Sequence, residues 1–279
     1  MKQRFTLLAA VAVAATSALA GCGDDEDGGS GSDAAKPTKV AMELKPEGKK
    51  ATVSAPKSIE AGVVTVDLKN STKKGGGLQF VRYTGDHTAA EVVKTGNAWG
   101  EKGKALPDWI ELKGGVPNAP PGTSETATQS LVPGKYLALE LEGNEYAEFE
   151  VTGDGKDQVE APAATIDATE YSFKATGLKA GKSEVQFDNK GGQPHFVVGL
   201  PINEGKSIED VKTFFKEEKG KPPFSEKGGF DSPISDGGNK QVITLDLKKG
   251  RYALACFIPD RQGGPPHVAK GMVSEAVVE

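Results

Sequence analysis

The sequence has 279 residues, a formal net charge of −5, 6% aromatic residues and 26% charged residues. An acidic chain with both signs interspersed lacks the basic surface that nucleic acid selects, so nucleic acid is excluded as a partner. The length accommodates two domains of ordinary size. Only two cysteines occur, Cys22 and Cys256.

The chain begins with Lys2 and Arg4, followed by an uncharged apolar stretch from Phe5 to Ala20. A basic start, an apolar stretch and small residues before a cut site read as a secretory signal over residues 1–21. The stretch is shorter than the roughly 20 residues a spanning helix needs. Leu19-Ala20-Gly21-Cys22 resembles the lipobox of bacterial lipoproteins. That resemblance implies cleavage before Cys22, diacylation of its thiol, and an address at the extracytoplasmic face of a membrane. The alternative is an ordinary signal peptide with a chance cysteine at the cut. Residues 22–37 are acidic and Gly/Ser-rich, a composition that cannot bury enough surface to fold. A flexible tether of this length spans on the order of 20 Å. Asp24-Asp25-Glu26-Asp27 reads as part of that solvated tether. No other stretch is apolar enough to cross a bilayer, so the lipid is the anchor expected.

From residue 38 the chain repeats itself. Residues 61–70 (AGVVTVDLKN) and 180–189 (AGKSEVQFDN) each read as a strand ending in Asn before a Gly-rich loop. Gln79-Phe80-Val81 and His195-Phe196-Val197 are strand-like and follow those loops. Thr88 with Glu91, and Ser207 with Asp210, carry the spacing of a helix capping box. In the second copy Ile208, Val211, Phe214 and Phe215 share a helical face. Residues 113–117 (KGGVP) match 227–231 (KGGFD), and Gly134-Lys135-Tyr136 matches Gly250-Arg251-Tyr252. The separation from Gln79 to His195 equals that from Gly134 to Gly250. A tandem duplication follows, with domains at 38–152 and 163–279 and the break near 152–162. Short alternating runs divided by Gly, Pro and Asn predict an all-β chain of two tandem β-sandwiches, each with one short helix inserted. The first strand of each copy falls near 39–44 and 164–173.

Residues 189–198 (NKGGQPHFVV) and 250–278 (GRYALACFIPDRQGGPPHVAKGMVSEAVV) resemble the ligand segments of the plastocyanin-like cupredoxins. In that family a His follows a Gly/Pro loop, and a later strand ends in Cys before a loop with His and Met. The resemblance covers most of 163–279 and, more loosely, 38–152. It implies Greek-key sandwiches and one copper held by His195, Cys256, His267 and Met272. Two imidazoles and a thiolate in a plane, with a distant thioether, suit copper in both oxidation states. His267 and Met272 keep the family's four-residue gap, but ten residues (257–266) separate Cys256 from His267, where the family has two to four. Taken singly, His195 also reads as a polar strand-edge residue, Cys256 as buried packing and Met272 as core filler.

The first copy carries Gln79 at the place of His195 and Glu140 at the place of Cys256, so it keeps the scaffold without the ligands. Trp99 and Trp109 flank a Gly/Lys stretch there; packing is the favoured reading, with a loop anchor or contact surface as the alternatives. His87 reads as a surface or cap residue. The functional expectation is a lipid-anchored copper protein acting in electron transfer or copper handling, with a redox or copper-transfer protein as partner. Domain 1 would be a spacer or docking surface. Nothing resembles a hydrolase elbow, a phosphate loop or a second metal site, so no enzymatic activity is expected. The rival expectation is a metal-free interaction module binding a protein or envelope ligand.

Overall fold

A computed structural model describes residues 37–48, 50–141, 143–155 and 159–279. The signal segment, Cys22 and nearly all of the tether lie outside the described residues. The N-terminal half contains β1 (Thr38–Glu47), β2 (Lys50–Ser54), β3 (Ser58–Glu60), β4 (Gly62–Asn70), β5 (Gly76–Tyr83), α1 (Ala89–Lys102), β6 (Ile110–Ala119), β7 (Ser124–Leu131), β8 (Gly134–Glu140) and β9 (Tyr146–Thr152). The C-terminal half contains β10 (Ala164–Thr169), β11 (Ser172–Thr176), β12 (Gly181–Asn189), β13 (Val198–Pro201), α2 (Ile208–Glu217), β14 (Phe230–Asp231), β15 (Lys240–Leu247), β16 (Gly250–Ala255) and β17 (Val273–Val278). A short 3₁₀ turn covers His267–Lys270.

Period-two burial explains the strands. In β1, Val40, Met42 and Leu44 point inward; in β4, Val64, Val66 and Leu68 do so while Asp67 and Lys69 face out. The same strand order arises twice. One sheet of the N-terminal half runs β2-β1-β4-β7 and its counterpart runs β11-β10-β12-β15. The second sheets run β9-β8-β5-β6 and β17-β16-β13-β14, with β3 added beside β9. Local details repeat as well. Gly134 and Gly250 both have φ 149°, and the tyrosine two residues later in each case bonds back to a carbonyl four residues upstream: Tyr136 Oη to Val132 O at 2.8 Å, Tyr252 Oη to Lys248 O at 3.1 Å. Both helices carry the capping boxes expected from Thr88/Glu91 and Ser207/Asp210.

The halves share a sheet. β7 and β15 pair antiparallel, with Gln129, Thr128 and Ala127 opposite Gln241, Val242 and Ile243, which merges the two four-stranded sheets into one of eight strands. Thr126 and Thr244 hydroxyls meet across this seam at 3.2 Å. One hydrophobic cluster contains residues of both halves, Val66 and Ile243 among them. A second contact runs through β6: Gly114 N donates to Ile234 O at 3.0 Å, and Leu112 and Asp236 exchange bonds, Asp236 N to Leu112 O at 2.9 Å and Leu112 N to Asp236 Oδ2 at 2.7 Å.

Candidate metal centre

The upstream side of the site is set by β12. Its last residue, Asn189, is fully buried. The Asn189 Nδ2 donates to Gln193 O at 2.8 Å and to Ser235 O at 2.7 Å, and its Oδ1 accepts from Gly191 N at 3.1 Å. Asn70 makes the matching bonds in the other half, to Lys74 O and Ala119 O, both at 2.8 Å. Asn189 thereby closes the Gly-rich loop and holds the chain on both sides of His195. The sequence places His195 in a strand, yet β13 starts only at Val198. His195 instead forms an isolated bridge with Ser235, with backbone bonds of 3.0 and 2.9 Å. The ladder is interrupted because the Ser232 hydroxyl, not a carbonyl, receives Val197 N at 3.1 Å.

The downstream side follows β16. Cys256 comes directly after its last residue, and Cys256 O accepts Val268 N at 2.7 Å. His267 N donates to Ile258 O at 2.9 Å and Met272 N to His267 O at 3.0 Å, so the 3₁₀ turn returns the chain to the strand end. The turn is what allows a ten-residue loop to deliver His267 back beside Cys256.

The donor atoms of His195, Cys256 and His267 lie within 4.8 Å of one another, and all three side chains are buried. Cys256 Sγ is 3.4 Å from His267 Nδ1, and the two imidazoles meet edge to face at 4.8 Å. Met272 is also fully buried and follows His267 through the same turn. Burial pushes the Cys256 thiol up to about 12, against the backbone N–H groups of Phe196 and Ile258 that favour the thiolate. Burial and the neighbouring His267 lower His195 to about 4. Burial also lowers His267, with the Asp260 carboxylate pulling the other way. At neutral pH both imidazoles are therefore neutral, which is the state that binds a metal ion.

The fit to copper rests on an observation in the chain itself. Neither ring nitrogen of His195 has a hydrogen-bond partner among the described residues, although both are buried. An unpaired buried polar group costs about 1–3 kcal/mol, so a fold that keeps one needs a reason. A metal taking one nitrogen supplies it. Two neutral imidazoles and one soft sulfur suit copper better than hard, oxygen-seeking cations.

In the N-terminal half the structure moves the place equivalent to His195 from Gln79 to Gly76, because Asn70 matches Asn189 and Gly76 pairs with Ala119 as His195 does with Ser235. Gln79 Nε2 donates to Gly114 O and Ile234 O, both at 2.9 Å, and Gln79 Oε1 accepts Ile234 N at 2.8 Å. Gln79 thus ties the halves together one residue away from Ser235. Glu140, opposite Cys256 in the repeat, is buried. Trp99 is 3% exposed, which supports packing over a surface role, and its indole also reaches the ligand loop. His87 stacks on Trp109 at 3.7 Å.

Two residues that matter here escape the sequence reading. Asp260 lies within the Cys256–His267 loop, and its Oδ1 is 3.0 Å from His267 Nε2. Gln193 Oε1 accepts Arg261 N at 2.8 Å, joining the loop before His195 to the loop before His267. A lone acid inside a Gly/Pro-rich ligand loop is the only signal in the sequence that marks Asp260.

No protein-family model matches the chain, and no curated protein is similar to it in sequence. Among solved structures it is similar to auracyanin from Roseiflexus castenholzii (17% identity, 43% of this chain and 99% of that chain, TM-score 0.27). It is also similar to a copper nitrite reductase from Nitrosomonas europaea (13% identity, 88% and 94%, TM-score 0.25). A blue copper oxidase from the same organism matches at 10% identity over 78% and 79% of the two chains, with a TM-score of 0.23. The expectation of no enzymatic activity is corrected by these neighbours. Copper nitrite reductase and blue copper oxidase are enzymes. Strand order and donor set together describe the chain: a cupredoxin-like fold with a buried His–Cys–His cluster suited to a single copper in its C-terminal half.

Proposed function

We propose that the chain is a lipid-anchored copper protein of the extracytoplasmic membrane face that exchanges single electrons with a partner protein. The observation that carries this reading is the buried His195–Cys256–His267 cluster with both His195 nitrogens unpartnered. Bound copper would supply a one-electron couple there. The residues do the rest. His195, Cys256 and His267 would hold the ion with Met272 as a further candidate donor, and the N–H groups of Phe196 and Ile258 favour the thiolate. Bonds from the Asn189 side chain and from the Ser235 and Val268 main chain fix these groups before any metal arrives, so little has to rearrange when charge changes.

Copper handling is the second reading, and the cover over His267 favours it. The ring is 0% exposed, which keeps that edge of the site away from a redox partner. Copper titration of the full chain, followed by visible and EPR spectroscopy, tests the metal. One equivalent bound with an intense thiolate absorption is the expected result; no stoichiometric uptake by a reduced thiol leaves a metal-free interaction module. Slow electron self-exchange in the loaded protein would favour copper handling over the carrier role.

The address rests on the lipobox-like residues and the acidic tether. Cys22→Ser is expected to move the chain from the membrane to the soluble extracytoplasmic fraction. Retention of the variant on the membrane would remove the lipid anchor from the proposal.

A further inference from the structure

The loop that separates Cys256 from His267 is fastened to the opposite half of the molecule. Trp99 Nε1, from the C-terminal part of α1, donates to Asp260 O at 2.8 Å. Leu106 N donates to Arg261 O at 2.6 Å and Gly264 N to Gly103 O at 3.1 Å. The Arg261 guanidinium reaches Pro107 O at 3.2 Å and Ile110 O at 3.0 Å. Two backbones come together at Gly103, the C-cap of α1 with φ 59°, where a Cβ would sit 2.6 Å from Gly264 O. A side chain at that position would force the ligand loop away.

Asp260 joins this contact to the metal centre. Its carbonyl is held by Trp99. Its carboxylate takes His267 Nε2 at 3.0 Å, Tyr171 Oη at 3.0 Å and the Lys270 ammonium. An imidazole that gives its Nε2–H to a carboxylate keeps the lone pair on Nδ1. In this ring Nδ1 is the nitrogen facing Cys256 Sγ. The bond to Asp260 therefore selects both the ring orientation and the nitrogen that faces the metal position. The other imidazole is approached from the same half. β6 pairs with the segment carrying Ser235, the residue that brackets His195, and Gln79 holds Ile234 beside it.

We propose that the ligand-free N-terminal half is the positioning partner of the metal centre, acting on His267 through Trp99 and Asp260. The proposal rests on the copper reading above. Both are positioning residues: Trp99 fixes the Asp260 main chain, and the Asp260 carboxylate fixes His267. The half that lost, or never had, ligands is then no spacer; its α1 and β6 are part of the wall that shapes the site.

Full-chain wild type, Trp99→Phe, Asp260→Ala and Trp109→Phe are compared with one equivalent of copper(II). The readouts are the thiolate absorption band, the EPR copper hyperfine splitting, copper release to a chelator, and the thermal midpoint of the metal-free protein. Asp260→Ala is expected to weaken copper affinity about 10- to 100-fold, as for other partners of metal-bound histidines, with a shifted band and splitting. Trp99→Phe keeps a ring in place but loses the indole N–H, and should shift the spectra in the same direction with release roughly fivefold faster. Trp109→Phe, a matched substitution at the ring stacked on His87, should leave the spectra unchanged. If Trp99→Phe does not fold, Arg261→Gln takes its place, since it breaks the contacts to Pro107 and Ile110. Wild-type uptake with unaltered spectra and release in the Asp260 and cross-half variants overturns this inference and leaves the copper reading standing. No uptake by the wild type overturns the copper reading and this inference with it.

Discussion

A Cys256→Ser chain is expected to lose the intense visible absorption on copper addition and nearly all the thermal stabilisation that copper gives the wild type. Both effects trace to one atom. The thiolate is the only soft anionic donor in the cluster of His195, Cys256 and His267, and a serine hydroxyl at that place stays protonated at neutral pH. A ligand bound only by the folded state stabilises it by about 4 kcal/mol when present at a thousand times its dissociation constant. For a chain of this size that corresponds to a midpoint shift on the order of 10 °C. The metal-free variant should remain close to the metal-free wild type, because the hydroxyl still accepts from the N–H groups of Phe196 and Ile258. Calorimetry of the four states, variant and wild type with and without copper, reads the result directly. Equal copper-induced shifts in the two proteins would remove Cys256 from the site.

His195→Leu has an unusual expected sign. The metal-free variant should be more stable than the metal-free wild type, while copper uptake is lost. Leucine has about the volume of an imidazole and brings no polar atoms, whereas the two ring nitrogens of His195 are buried without partners. Relief of such a penalty contributes about 1–3 kcal/mol, less whatever the edge-to-face contact with His267 provides. The gain should grow in acid. His195 falls from its ordinary 6.5 to about 4 in the folded protein, so the unfolded chain binds the extra proton first. Its contribution to stability is fully present above 6.5 and is lost as the pH falls from 6.5 through about 4. The leucine variant has no such group and should lack that part of the acid destabilisation. Denaturant midpoints of both metal-free proteins at pH 7 and pH 5 test this. A variant less stable than wild type at both values would make His195 a packing residue instead of a ligand.

These two substitutions separate what the fold needs from what the site needs. The N-terminal half makes the same point by natural example. There the scaffold, the capping boxes, the Gly-x-Tyr turns and the strand-ending Asn all persist with Gly76 and Glu140 at the positions of His195 and Cys256. The sandwich therefore does not demand the four candidate ligands. Their presence in the C-terminal half is a cost, visible in the unpaired His195 nitrogens, that a bound metal offsets.

Much of this protein was determined by sequence alone. Alternation of two places strands by which face is buried, a local rule that needs no tertiary information. Capping boxes mark helix starts because a side chain and a backbone N–H three residues away satisfy each other locally. The repeat itself, and hence the twofold strand order, is visible as matched residues. The candidate ligand set of His195, Cys256, His267 and Met272 was implied by the resemblance of their segments to the plastocyanin-like cupredoxins. The tertiary structure decided what depends on distant chain segments meeting. It merged the two halves through β7 and β15, where the mixed polar and apolar residues of the strand edges give no hint of a partner. It ended the strand around His195 early, because Ser232 from a remote loop replaces a ladder carbonyl. It folded the long Cys256–His267 loop onto α1 through Trp99, Gly103 and Arg261, and turned Asp260 toward His267. The contacts between β7 and β15 and between α1 and the ligand loop join residues more than a hundred positions apart, and no local periodicity or propensity encodes which of them will face each other.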